Sequence, residues 1–115
     1  MIEHKINFDG TEIWYKGSKR HKTDGPAVIW PDGDEHWFKN NELHRNNKSS
    51  LIEIDGTEYW HINGQRHRKK GPTAIHANGK EYWHKKNKWY RTDGPVVIYS
   101  NGNKIWFIDE EKSND

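Results

Sequence analysis

The apolar residues of this chain come in runs no longer than four, each closed by a turn signal. AVIWP (27–31) stands before Asp32-Gly33, and DEHWFK (34–39) stands after it. Both stretches are short, rich in β-branched and aromatic residues and free of internal glycine, which predicts a β-hairpin. Asp-Gly and Asn-Gly supply the positive φ values of a tight hairpin turn. A two-residue turn here opposes Trp30 to Glu35, Ile29 to His36 and Val28 to Trp37. Alternation then places Ile29, Ala27, His36 and Phe38 on one face, and Val28, Trp37, Trp30 and Glu35 on the other. A longer turn would change these partners.

The pattern is not local. Asp/Asn-Gly recurs at Asp9-Gly10, Asp32-Gly33, Asp55-Gly56, Asn78-Gly79 and Asn101-Gly102, a step of 23 residues without insertion. Trp14, Trp37, Trp60, Trp83 and Trp106 keep the same step, as do Ile6, Ile29, Ile52, Ile75 and Ile98. Glu12, Glu35, Glu58 and Glu81 form another column, closed by Lys104. His21, His44 and His67 form one more, with Tyr90 in the fourth unit, and each is followed by a cation: Lys22, Arg45, Arg68, Arg91. A second break falls at Gly17-Ser18, Asn40-Asn41, Asn63-Gly64 and Lys86-Asn87. Such a period predicts stacked units that share a core none of them closes alone. The expected architecture is a single all-β domain over 1–115, elongated, with units near 1–9, 10–32, 33–55, 56–78, 79–101 and 102–108 and an acidic tail at 109–115. Two strands per unit at about 4.8 Å give a rod on the order of 50 Å, with the Trp and Ile ladders as its main source of stability.

Composition sharpens this. Mean hydropathy is −1.30, and 31% of residues are charged, values that alone suggest disorder. Seven Trp, five Tyr and three Phe argue for a core built from rings. The absence of Cys removes disulfide and thiolate chemistry. No run is long enough for a membrane span and the first residues carry no secretory h-region, so a cytoplasmic chain is expected.

Several of the columns invite chemistry. Histidines spaced evenly along a ladder spread apart instead of converging as metal ligands must, so each is expected to bond a turn of its own unit. The Glu and cation columns are expected to pair and fix register. Equivalent carboxylates share one environment, which argues against general acid and base roles. No nucleophile elbow, P-loop or HExxH motif occurs. These readings imply neither an enzyme nor a cofactor.

The departures from the repeat carry more information about binding. Residues 61–91 hold nine Lys and Arg against one acid, Glu81. Among them Arg66, His67, Arg68, Lys69, Lys70, Lys85, Lys86, Lys88 and Arg91, with Trp89, are the candidate partner-binding residues. Trp89 occupies a column otherwise held by Arg20, Leu43 and Arg66, and Trp30 is likewise off-pattern, so both indoles join the candidate surface. A protein partner is the first expectation. A nucleotide or other phosphate ligand, held by cations and rings, is the alternative. Open end strands also leave homodimer pairing available.

The order of turn, Trp strand, Asn-Gly turn and basic-His segment resembles the MORN-repeat family over roughly 5–108, and INGQRHRKKGP (62–72) carries the resemblance best. MORN units read N-G-K-x-H-G-x-G, whereas here His is followed by Arg or Lys and Asp-Gly-Pro is inserted. The chain is similar to a divergent W-Y-x-N-G-x-x-H-R-x-D-G-P-A subtype associated with phage, giant-virus and bacterial proteins. The resemblance implies a β-hairpin solenoid that binds proteins, or at times lipid headgroups, without catalysis. By the same analogy the partner is a host protein, as of a defence system, inhibited by binding.

Overall fold

The computed structural model describes residues 1–106. Within them the chain is all-β, without a helix. In chain order the strands are β1 (Ile2–Ile6), β2 (Glu12–Lys16), β3 (Lys19–Arg20), β4 (Val28–Ile29), β5 (Glu35–His36), β6 (Phe38–Lys39), β7 (Glu42–Leu43), β8 (Leu51–Ile52) and β9 (Glu58–Tyr59). They continue as β10 (His61–Ile62), β11 (Gln65–Arg66), β12 (Ala74–Ile75), β13 (Glu81–Tyr82), β14 (His84–Lys85), β15 (Lys88–Trp89), β16 (Val97–Ile98) and β17 (Lys104–Ile105). One antiparallel sheet runs β1-β2-β4-β5-β8-β9-β12-β13-β16-β17, with β3 beside β2. The pairs β6–β7, β10–β11 and β14–β15 form separate hairpins along its flank. The molecule measures 53 × 29 × 20 Å, in line with the expected length.

The Asp-Gly turns differ from the sequence expectation. Trp30 N–H bonds the Asp34 carbonyl at 3.0 Å, so Pro31, Asp32 and Gly33 form a three-residue turn. Only Gly33, at φ 101°, is left-handed there. The Asp32 carboxylate accepts the Asp34 N–H at 2.9 Å, and this local bond selects the longer turn. Register therefore moves by one: Ile29 faces Glu35 and Val28 faces His36. Side-chain faces change with it. Val28, His36 and Trp30 share one face, and the Ile and Glu columns share the other, alternating across the sheet from Ile6 to Lys104. The second breaks are true two-residue turns, with Asn40 and Asn41 at φ 48° and 69°.

The core is thinner than the ladders suggested. Ile29, Ile52 and Ile75 are only half-buried, and of the repeating indoles Trp60 alone is fully buried. Burial concentrates in small residues: Ala27, Ser50, Thr73 and Val96 in one column, with Val28, Ala74 and Val97 beside them. Against the first column lies Phe38 in one unit and His61 or His84 in the next two. His61 Nδ1 lies 2.7 Å from Ser50 Oγ, and His84 Nδ1 lies 2.6 Å from Thr73 Oγ1. A hydroxyl thus stands wherever the ring is imidazole, and an alanine where it is phenyl.

Candidate functional site

The cation column does not pair with the Glu column. Among the described residues the ion pairs are His4–Glu12 and Arg91–Asp93. Each cation instead lies on the indole of its own unit: Lys22 on Trp14 at 3.9 Å, Arg45 on Trp37 at 3.6 Å, Arg68 on Trp60 at 3.9 Å and Arg91 on Trp83 at 3.8 Å. The indole face attracts the charge and leaves its outer edge in solvent. Each arginine also donates from Nη1 to a backbone carbonyl four residues on: Ser49, Pro72 and Pro95. At Arg68 and Arg91 the Gly of Gly-Pro makes room, since a Cβ on Gly71 or Gly94 would lie 2.7 or 2.5 Å from the arginine Cζ, whereas Lys48 holds that position beside Arg45. Burial draws Arg45 and Arg68 below the usual arginine range, and Glu58 opposes this in both cases.

The histidine column also departs from expectation. His21 Nδ1 accepts the Asn40 N–H, His44 the Asn63 N–H and His67 the Lys86 N–H, at 3.0, 2.9 and 3.3 Å. These partners belong to the following unit, not the same one. The imidazoles therefore staple successive hairpins together. No group of side chains suited to a metal ion occurs among the described residues.

Three clefts open between successive units, each repeating the one before. Lys22, Lys39, Arg45 and Lys48 line the first, which has a volume of about 460 Å³, with Trp37 and the single acid Asp24. Arg45, Arg68, Lys69 and Lys70 line the second, of about 490 Å³, with Trp60 and no acid. Arg68, Lys69, Lys70, Lys85 and Arg91 line the third, of about 470 Å³, with Trp83, Tyr90 and Asp93. Arg45 borders the first two and Arg68–Lys70 the last two, so the clefts are continuous. The indole Nε1 of Trp37, Trp60 and Trp83 is buried in each wall without a protein acceptor.

The third cleft gathers His67, Arg68, Lys69, Lys70, Lys85 and Arg91 from the candidate residues and leaves the others elsewhere. Arg66 is held by Asn87, which accepts from its backbone N–H and Nε. Lys86 occupies the turn at φ 50°, and Lys88 is exposed opposite Lys85. Trp89 does not line the cleft but stacks at 4.2 Å on His84, which does, and approaches Tyr82 at 5.6 Å. Trp30 lines a separate opening with His36 and Tyr59. Sequence reasoning missed Lys22, Lys39, Arg45 and Lys48 as site residues. Their signal was the period itself, since a cleft made by one unit boundary must recur at the next. No helix of the described residues is long and apolar enough to cross a membrane. Comparison with protein-family models, with curated proteins and with solved structures finds no match.

Proposed function

We propose that the chain is a non-enzymatic binding module, a solenoid of 23-residue MORN-like hairpins whose row of basic clefts holds an acidic segment of a protein partner. The observation that carries this reading is the threefold recurrence of an indole-seated cation among lysines, with at most one acid per cleft. Identical sites in line suit a linear ligand, and their sameness disfavours a reaction that needs differentiated groups. A protein segment fits better than a nucleotide because the cleft indoles are already covered by cations and Trp89 is not among the lining residues, leaving Tyr90 as the exposed ring in the third cleft. The resemblance to phage-type MORN-like repeats suggests a cytoplasmic host protein as the partner, inhibited by occupancy.

A labelled hexaglutamate peptide, titrated against the protein and against an R68A/K69A/K70A variant, tests the reading. Binding is expected, with loss in the variant of about tenfold or more and a steep fall with salt. Thermal stabilisation by inorganic tripolyphosphate without peptide binding would favour a phosphate ligand instead.

A further inference from the structure

On the face opposite the Ile and Glu columns lies an opening of about 720 Å³ with the reverse charge. Trp30, Pro31, His36, Leu51 and Tyr59 form its walls, and Asp32, Asp34 and Glu53 its rim, with no cation among its lining residues. Trp30 is 40% exposed there, its ring 5.6 Å from His36. Asp34 gives one carboxylate oxygen to the Ile54 N–H at 2.7 Å and Asp32 one to the Asp34 N–H, so each retains a second oxygen.

The repeat itself shows what this furrow accepts. Two units along, the positions of Asp34, His36 and Glu53 are held by Lys80, Tyr82 and Tyr99. There the Lys80 ammonium sits between the two rings, 4.9 Å from Tyr82 and 4.7 Å from Tyr99. One unit along, His76 holds the Glu53 position and packs edge-on to Tyr59 at 5.8 Å and to Tyr82 at 5.3 Å. In the unit of Trp30 the Lys80 position is held by Asp34 and the His76 position by Glu53, so carboxylates stand where a cation and an imidazole stand further along.

We infer that this cleft takes a cationic side chain from outside, an arginine of a partner peptide. The guanidinium lies flat against the Trp30 indole and turns its N–H fork to Glu53 and Asp34, in the geometry that a planar cation offers and an ammonium does not. The site is independent of the basic clefts and lies on another face of the sheet.

The test is NMR titration with the blocked tripeptide Gly-Arg-Gly, alongside Gly-Lys-Gly and Gly-Gln-Gly. Arginine peptide is expected to shift the Trp30 indole and Tyr59 ring signals, and to bind about fivefold more weakly to Glu53→Gln and to Trp30→Phe. The R68A/K69A/K70A variant should bind it unchanged, which separates this inference from the function proposed above. Equal binding of the glutamine or lysine peptide, or shifts that avoid Trp30 and Tyr59, would overturn it.

Discussion

At the scale of single residues, the buried histidines decide the most. Thr73 Oγ1 lies 2.6 Å from His84 Nδ1 and 3.2 Å from the Tyr82 carbonyl, and His84 Nε2 is buried without a partner. A second proton on this ring would make a buried charge whose Nε2 side has nothing to meet it. Burial accordingly lowers His84 to about 4, with Arg66 adding to the effect, and lowers His61 to about 4 for the same reasons. The unfolded chain titrates near 6.5, so it binds protons first as pH falls. Stability from these two groups is therefore intact above about pH 6.5, drains away down to about pH 4 and falls no further below it. Urea denaturation of Thr73→Ala combined with His84→Phe, which copies the Ala27–Phe38 pairing, should show a weaker pH dependence across that window. An unchanged slope would remove His84 from the account. The sequence did contain this pairing, because serine and threonine appear in the inner column only where histidine appears in the outer one. It was not read beforehand, although the expected hairpin already placed Ala27 and Phe38 on one face, because the columns followed were those of Trp, Ile, Glu and the cation-flanked His.

At the scale of elements, the two kinds of turn explain both the success and the error. The alternation of strand and turn was plain from Asp-Gly and Asn-Gly, yet the same dipeptide serves a two-residue and a three-residue turn. The choice rests on a side-chain bond from Asp32 to the Asp34 N–H, which composition does not reveal. The flanking hairpins use two left-handed residues, and most are Asn or Gly. Lys86 is the exception at φ 50°, a conformation that strains a residue with a Cβ. Replacing Lys86 by Gly should raise stability by about 1 kcal/mol in chemical denaturation, as the strain is relieved. Trp60 lies at the other extreme, only 7% exposed beneath Arg68. Trp60→Ala should cost about 3–5 kcal/mol by the same measurement, through the lost ring and the cavity it leaves. A cost near zero would show that the indole column does not hold the middle units together.

At the scale of the whole molecule, the design is repetition with inversion of charge. The all-β, elongated form and its length followed from the period and strand spacing alone. The candidate site was legible only in its most basic part, at units three and four, because charge counting finds density and not recurrence. Arg45 looked like a partner for Glu35 and Glu58, and only its seat on Trp37 shows it as one of a series. Neighbouring clefts are separated by two strands, or about 10 Å, which an extended peptide covers in three residues. A partner with acidic residues at every third position thus meets one cleft after another, and each added contact is gained at high effective concentration.

The most direct test is a series of labelled peptides with Glu at every third position, long enough to reach one, two or three clefts, titrated at fixed salt. The account predicts that affinity climbs by roughly tenfold or more with each further cleft spanned, and that Arg45→Ala flattens the rise. Affinity independent of length, or a rise that survives Arg45→Ala, would contradict it.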